Sequence, residues 1–203
     1  MDNSPEILEN AENKPKNSRN KLEIFNWLEI VVASVVIVTI LFTFIFKVVT
    51  ISGDSMVDTL HHGEKIVISK LFYTPDRGDI VVISRNEDNS TDYKSEETCI
   101  IKRIIATEGQ IVDIDFERGI VSVDGVPLEE RYTYTPTNSR GDVEFPVIVP
   151  EGHVFVLGDN RNVSADSRKS TLGNNGMVDT RNILGRALLR YLPFDRFGVL
   201  INE

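Results

Sequence analysis

The sequence has little of several residue types on which common classes of active site are built. Its 203 residues include one cysteine, Cys99, and three histidines, His61, His62 and His153. A single cysteine cannot form an intramolecular disulfide, and its apolar neighbours indicate a small buried residue. The histidines lack the i, i+4 helical spacing of a metal pair, and neither HExxH nor Cys-x-x-Cys occurs. Since a P-loop and a dinucleotide fingerprint are also missing, we expect no metal and no cofactor.

Positive charge is also scarce. The formal net charge is −9, and most of the acidic excess lies after Lys47. Domains that bind nucleic acid carry a basic face, so we expect no nucleic-acid partner. An exported domain without disulfides suits a Gram-positive cell surface better than a eukaryotic secretory lumen.

Long apolar runs are rare in the sequence, but one is present near the N-terminus. Residues Ile30 to Phe46 carry no charge, and a helix from Ile30 to Val49 would rise about 30 Å, the thickness of a bilayer's hydrocarbon core. The run is longer than the apolar region of a cleavable signal, and no small-x-small site follows it. It is apolar on every face, which disfavours the alternative of a buried soluble helix. We interpret the run as a retained transmembrane anchor.

The charges around the anchor predict its orientation. Four basic residues precede it: Lys14, Lys16, Arg19 and Lys21. Basic residues beside a first span favour the cytoplasmic side. We therefore predict a single-pass plasma-membrane protein with a disordered cytoplasmic tail at 1–25, an anchor at 26–49 and an extracytoplasmic domain at 50–203. Because the stretch from Lys47 to Ser55 spans at most about 29 Å, Ser55 should lie close to the lipid surface.

Beyond the anchor, short strand-like runs separated by turn signals predict a mostly β fold. Seven runs are strand-like: Lys65–Lys70, Asp79–Ser84, Cys99–Ala106, Gln110–Phe116, Ile120–Val123, His153–Leu157 and Ile183–Leu192. Asp124-Gly125 is a hairpin signal, and the acidic stretch from Asn86 to Glu97 is predicted to be a solvated loop. We expect an antiparallel β-sandwich or partly closed barrel behind a single N-terminal transmembrane helix.

With the other site classes set aside, a serine and a lysine remain as candidates for chemistry. The hydroxyl of Ser55 needs a base to act as a nucleophile at neutral pH. Lys102 lies in an apolar strand on the face shared by Ile100 and Ile104, and burial there would lower its pKa and let it accept a proton. A solvent-facing lysine is the alternative, because lysines in strands usually point to solvent. The residues alone leave both interpretations open.

Four segments resemble the sequence boxes of bacterial type I signal peptidases. They follow the anchor in the family's order: Ser52–Leu60, Arg77–Val82, Lys102–Ala106 and Gly158–Arg168. The first is similar to the serine box, the third to the lysine box, and the last matches the C-terminal box almost residue by residue. The resemblance extends from about Leu28 to Leu200. It implies a Gram-positive-like, membrane-anchored endopeptidase that removes signal peptides from exported preproteins after a small-x-small motif.

The resemblance also implies roles for individual residues. Ser55 would be the nucleophile, Lys102 the general base, and Ser164 the group that hydrogen-bonds the lysine amine and orients it. Five residues would give structural support, through an Arg103–Asp159 pair and a braced loop around Ser164: Arg103, Gly158, Asp159, Asp166 and Arg168. The substrate would add as an extended strand with small side chains in shallow pockets. Six residues would surround those pockets, with core packing as the alternative for the apolar ones: Ile51, Gly53, Met56, Leu60, Ile100 and Ile101.

Departures from the family pattern suggest a divergent member. Gly53 stands where some relatives have a serine that serves as a second oxyanion donor, which leaves the backbone N–H of Ser55 for that role. Asp58 and Glu108 replace family prolines, which suggests an enzyme dedicated to one substrate, such as a pilin precursor.

Two alternatives compete with an active signal peptidase. One is a non-catalytic accessory factor with partners in surface-protein or pilus assembly. The intact Ser55, Lys102 and Ser164 argue against it. The other is a self-cleaving repressor with a Ser-Lys pair, which the anchor and the 158–168 box argue against.

Overall fold

The structure is a computed structural model that describes residues 16–84 and 99–200. It divides into an N-terminal unit that ends at Phe44 and a second unit that begins at Ile45. The predicted tail before Lys16 and the predicted loop at 86–97 lie outside the described residues.

The N-terminal unit contains one long helix, α1 (Lys16–Ile45). Its stretch Phe25–Thr43 has a mean hydropathy of 2.2 and is long and apolar enough to cross a membrane. Three hydroxyl groups of this stretch donate to the carbonyl oxygen four residues earlier, at 2.7–2.8 Å: those of Ser34, Thr39 and Thr43. The helix therefore satisfies its own hydroxyl groups, as a hydrocarbon environment requires.

The helix differs from the predicted anchor at both ends. It begins at Lys16 rather than at 26, so part of the predicted tail is helical. It ends at Ile45, and the next residues form strand β1 (Phe46–Thr50) instead of the last turn of the anchor. The physical reason is the β-branched run Val48–Thr50, which favours an extended backbone and finds a pairing partner in the second unit.

The second unit is mostly β, as predicted. Besides β1, eleven strands are described: β2 (Lys65–Ser69), β3 (Ile80–Ser84), β4 (Cys99–Thr107), β5 (Ile111–Asp115), β6 (Ile120–Val123), β7 (Val126–Pro127), β8 (Val147–Ile148), β9 (His153–Leu157), β10 (Val178–Asp179), β11 (Ile183–Leu192) and β12 (Gly198–Val199). All seven predicted strands are present with ends within about one residue. The strands that the sequence missed are β1 and four two-residue strands, β7, β8, β10 and β12.

The strands form two antiparallel sheets. The first has the order β1-β2-β11-β3-β4-β9-β10, with β12 also paired to β11, and the second has the order β7-β6-β5-β8. The prediction of an antiparallel β fold behind an N-terminal apolar helix is therefore confirmed. Neither sheet closes into a barrel within the described ranges, so the architecture is the sandwich rather than the barrel.

One apolar core lies between the two sheets. In β5, Val112 and Ile114 are buried while Asp113 and Asp115 are exposed, so the alternating pattern sends one face inward. They pack with residues of β6 and with β4 and β9 of the first sheet: Val121, Val123, Ile105, Ala106, Phe155 and Leu157. At the predicted hairpin, Asp124 and Gly125 have φ of 53° and 76°, as a two-residue turn between β6 and β7 requires.

A second core lies beneath the loop that carries Ser55. Ile51, Met56 and Leu60 are buried there with apolar residues of the first sheet. Burying a large aliphatic side chain contributes about 1.5–3 kcal/mol, so these three residues fasten the loop to the sheet and fix where Ser55 stands.

Candidate active site

The serine loop, which we define as residues 51–64, connects β1 to β2. Its base is closed by two backbone hydrogen bonds, from Ile51 N–H to Glu64 O at 2.8 Å and from Gly63 N–H to Ile51 O at 2.9 Å. With its apolar side chains buried below, the loop holds Ser55 at its partly exposed upper surface.

Ser55 and Lys102 lie within hydrogen-bond distance of each other. Lys102 Nζ is 2.9 Å from Ser55 Oγ and also donates to Ile101 O at 2.8 Å. Lys102 is in the middle of β4, opposite Val81 of β3, and only 3% of it is exposed. Of the two interpretations of this lysine, the structure supports the buried one. Burial disfavours an ammonium group, and a neutral amine beside a hydroxyl can take its proton.

The two side chains open into a cleft of about 430 Å³. Its walls come from the serine loop, from β4 and from the segment after β9: Ser52, Gly53, Asp54, Ser55, Ile100, Lys102, Asn160, Val163 and Ala165. Within residues 16–84 and 99–200, no group of three or more His, Cys, Asp or Glu side chains is arranged to hold a metal ion.

The cleft contains only part of the predicted pocket. Gly53 and Ile100 line it. The structure instead places Ile51, Met56 and Leu60 in the core below the loop, at most 2% exposed, and Ile101 packs against the same core. The alternative interpretation, core packing, therefore describes these four residues, because apolar side chains of a loop above a sheet gain more from burial than from lining a wet cleft.

Asn160 holds both peptide groups that flank Ser55. Its backbone N–H donates to Ser55 O at 3.0 Å, and its side-chain Nδ2 donates to Asp54 O at 3.2 Å. The second contact fixes the plane of the Asp54–Ser55 peptide, whose other edge is the Ser55 N–H. Asn160 lies within the 158–168 segment, but the sequence does not predict a role for it, because its partners are backbone atoms of a distant loop.

Gly158 lets the 158–168 segment approach Ser55 closely. A Cβ at this position would lie 2.3 Å from Ser164 Oγ and 2.5 Å from Ser55 O. Both distances are shorter than a carbon can tolerate, so the glycine is required by space. The sequence-predicted supporting role of Gly158 thus has a steric explanation here.

Ser164 is placed near the site but does not make the predicted contact. It is 8% exposed, and its Oγ has no hydrogen-bond partner among the described residues. The hydrogen bond to Lys102 that the family resemblance implied is therefore not formed in this structure. Two hydrogen bonds of the amine go instead to Ser55 Oγ and Ile101 O.

Arg103 and Asp159 form a buried ion pair directly behind the cleft. Arg103 donates through Nε and Nη2 to the two carboxylate oxygens at 2.9 and 2.7 Å, and both residues are at most 2% exposed. Thr59 of the serine loop donates to the same carboxylate at 2.6 Å, and Arg103 also donates to Gly78 O at 3.0 Å. The pair therefore joins β4, the serine loop and the segment after β9.

A second buried pair continues from the first. The Tyr132 ring covers the Arg103 guanidinium at 3.9 Å, and its hydroxyl donates to Glu130 at 3.0 Å. Burial, together with the Glu130 carboxylate, raises the pKa of Tyr132, so the phenol stays a neutral donor. Glu130 pairs with the fully buried Arg161, which also donates to Thr137. No sequence pattern predicts the contacts of Glu130 with Tyr132 and Arg161, because Glu130 lies in a long irregular segment.

Asp166 and Arg168 form a buried ion pair in the loop around Ser164. Arg168 donates to both Asp166 oxygens at 2.8 and 2.9 Å, and Asp166 also accepts from Gly158 N–H at 3.1 Å. Arg168 further donates to Ser139 O at 2.7 Å. These contacts hold the two ends of the 158–168 segment together.

Comparison with known proteins identifies relatives over most of the chain. The family profile described as Signal peptidase, peptidase S26, matches residues 24–192. A probable signal peptidase I-1 from Synechocystis sp. is 36% identical over 177 residues, which cover 85% of each chain. Signal peptidase I P from Bacillus subtilis subsp. natto is 30% identical, with 89% of this chain and 96% of that protein covered. Among solved structures, a signal peptidase I from Enterococcus faecalis V583 matches with a TM-score of 0.42 and 26% identity, over 56% of this chain and 97% of that one.

The Arg103–Asp159 pair predicts a large loss of stability when one partner is removed. In Arg103→Ala, the Asp159 charge stays buried without its partner, which should lower the free energy of unfolding by about 3–5 kcal/mol. Arg181→Ala is the matched control, because Arg181 pairs with Asp179 but is 88% exposed, and an exposed pair contributes about 0.2–1 kcal/mol. Urea unfolding in detergent compares the two variants. Equal losses would show that the buried pair does not hold the site together.

Proposed function

The chain belongs to the signal peptidase family, peptidase S26, and on that premise we propose that it cleaves exported preproteins with a Ser55–Lys102 dyad. The observation that carries the proposal is the 2.9 Å distance between Ser55 Oγ and the amine of a buried lysine. The family and the N-terminal apolar helix support a single-pass membrane protein. Its substrates as a family member are exported preproteins.

The geometry supports an acyl-transfer mechanism. Lys102 accepts the Ser55 proton as Oγ attacks the carbonyl carbon of the scissile peptide, and the resulting ammonium then protonates the leaving amine. The acyl group is left on Ser55 Oγ. Water then attacks the acyl carbon while the neutral Lys102 takes its proton, and the resulting ammonium returns a proton to Ser55 Oγ as the ester bond breaks and the acid leaves. The amine alternates between neutral base and charged acid, so the same buried side chain serves both halves of the reaction.

The oxyanion needs a donor that is in place before the reaction. We assign this role to the Ser55 N–H, because Gly53 brings no hydroxyl to the position used by some relatives. Asn160 supports the assignment, since its contact with Asp54 O fixes the peptide that carries this N–H.

Ser164 fits the charged state of the lysine better than its neutral state. An ammonium has three donors, one more than a neutral amine. Among the described residues the Ser164 hydroxyl is buried without a partner, and we propose that it accepts a hydrogen bond from the protonated Lys102.

Specificity and location complete the proposal. The family resemblance implies a small-x-small motif, and we propose that the cleft beside Ser55 excludes larger side chains. Gly53 and Ile100 form part of its walls. We propose that the N-terminus is cytoplasmic and the β domain extracytoplasmic, on the positive-inside pattern. Signal peptides lie in the bilayer, so an enzyme tethered to its own span meets the cleavage point at the lipid surface.

The first prediction of the proposed function concerns the nucleophile. Ser55→Ala should process no preprotein, because the variant has no oxygen to form the acyl intermediate, and it should remain folded. The measurement follows the mature product from a preprotein whose signal peptide ends in Ala-x-Ala. Ser122→Ala is the control, since Ser122 lies on β6 of the other sheet and this variant should process normally. Processing by Ser55→Ala above a few per cent would assign the nucleophile elsewhere, whereas a wild-type protein that processes no preprotein would favour the accessory-factor interpretation.

A preprotein with Leu in place of the last Ala should resist the wild-type enzyme if small-x-small specificity holds.

The second prediction concerns the base. Lys102→Arg keeps the positive charge but should be inactive, because a guanidinium does not give up its proton at working pH. Lys65→Arg is the control, because Lys65 lies at the start of β2 and is only partly buried. The assay is the same, with thermal unfolding recorded for each variant. Turnover by a folded Lys102→Arg protein would show that Lys102 is not the base.

The third prediction concerns Ser164. Ser164→Ala should lower kcat by about two- to tenfold, the effect of one hydrogen bond of about 0.5–1.5 kcal/mol, while KM changes little because substrate does not contact the hydroxyl. Ser122→Ala again serves as the control. A kcat equal to that of the wild type would remove Ser164 from the mechanism.

A further inference from the structure

His62 is an exposed residue of the serine loop that contacts the turn before the nucleophile. The Gly53 N–H donates to His62 Nδ1 at 3.2 Å. The dyad mechanism uses neither residue as a reacting group. The contact nevertheless acts on the backbone two residues before Ser55.

This hydrogen bond extends the ladder that closes the serine loop. The first two bonds join Ile51 to the backbone of Glu64 and of Gly63. At the next position the acceptor for Gly53 is an imidazole nitrogen in place of a carbonyl oxygen. On the far side of the turn, Asn160 donates hydrogen bonds to the carbonyl oxygens of Ser55 and Asp54. The turn that carries Ser55 is thus held from both sides, by Asn160 and by His62.

Gly53 needs this restraint because of its conformation. Its φ is +79°, and a Cβ built there would meet nothing within 4 Å. The glycine is therefore required by its backbone angle and not by lack of space. Glycine loses more conformational freedom on ordering than any other residue, so a contact at its N–H has a direct effect on how well the following residues are fixed.

We propose that neutral His62 is a positioning residue that holds the Gly53 turn, and that protonation of His62 releases it. The proposal rests on the proposed function, since the turn matters to catalysis only if Ser55 is the nucleophile. Nδ1 can accept a hydrogen bond only when it carries no proton. In the protonated ring, an N–H would face the Gly53 N–H and the bond would be lost. Imidazoles change charge between pH 5 and 8, a range in which a processing enzyme can be assayed.

The charged groups around the serine loop lie mainly near His61, the residue before His62. His61 lies 3.5 Å from Asp58 and 3.9 Å from Glu64, and Arg196 contacts both His61 and Glu64. Arg190 of β11 also pairs with Glu64, at 3.3 Å. His62 forms no ion pair among the described residues, and its own loop adds one further carboxylate, that of the exposed Asp54. His61 is therefore the group from which the effect of His62 has to be separated.

The proposal predicts the form of the pH profile. Lys102 must be unprotonated to act as base, which by itself gives a logarithmic plot of kcat/KM a slope of one at acid pH. Protonation of His62 should lower kcat/KM by a further two- to tenfold, about 0.3–1 log unit, the effect of one lost hydrogen bond. The plot should therefore show an added step of that size on the slope of one. A dyad alone gives the slope of one without the step.

The experiment compares His62→Asn with His62→Ala in the full-length, detergent-solubilised protein. An Asn side-chain oxygen can accept from Gly53 N–H in the place of Nδ1 but does not titrate. His62→Asn should keep kcat/KM within about twofold of the wild type at pH 8 and should lack the added step. His62→Ala should lose about two- to tenfold in kcat/KM at pH 8, the effect of one lost hydrogen bond, and should also lack the step. His153→Asn is the control and should keep the step, because His153 lies at the start of β9 and contacts Glu151 O.

Several results would overturn the proposal. They are a wild-type profile without the added step, an Asn variant no better than the Ala variant, or an Ala variant equal to the wild type at every pH. A step that persists in His62→Asn but disappears in His61→Asn would assign the second proton to His61. Each of these results leaves the inactivity of Ser55→Ala untouched, so failure of the inference is distinct from failure of the proposed function. Thermal unfolding of each variant checks that a lower rate does not reflect unfolding.

Discussion

The assembly of the site depends on the buried ion pair between Arg103 and Asp159. Each of these charges would be costly to bury alone, and removing one partner of such a pair costs about 3–5 kcal/mol. Their charges are compensated only when β4 and the segment after β9 come together, and Thr59 adds the serine loop to the same carboxylate at 2.6 Å. Three segments far apart in the sequence are therefore joined at one point, directly behind the cleft.

The residues next to this pair are the proposed base and the residues that support Ser55. Lys102 precedes Arg103, and because successive side chains of a strand point to opposite faces, fixing one fixes the direction of the other. Asn160 follows Asp159 and binds the backbone on both sides of Ser55. Gly158 precedes Asp159 and leaves room for the Ser55 carbonyl. A shift of the pair would thus move the base and the support of the nucleophile together, which is why we regard the dyad and the ion pair as one unit.

Much of this arrangement could be predicted from the sequence, and the failures have identifiable physical causes. Short strand-like runs between turn signals predicted the seven longer strands, and the order of four boxes predicted the residues of the proposed dyad. Strand β1 was not predicted from the sequence because Val48 and Val49 are apolar as well as β-branched. These residues therefore resemble a continuation of the transmembrane span. Met56 and Leu60 were expected near the substrate, yet hydrophobicity does not distinguish a pocket wall from a core. Asn160 and His62 form hydrogen bonds with backbone atoms. Such contacts depend on the geometry of a turn, which residue types alone do not predict.

The most direct test of the central claim is a titration of the Lys102 amine itself, followed by NMR in protein carrying ¹⁵N-labelled lysine, with Lys102→Arg used to assign the signal. An unperturbed lysine has a pKa of about 10.4, and an ammonium buried in β4 beside Ser55 should lose its proton well below that pH. Titration of this amine distinctly earlier than the other lysines of the chain is the predicted result. An amine that titrates together with the exposed lysines would contradict the account, because Lys102 would then be charged in the resting enzyme and could not take the proton of Ser55.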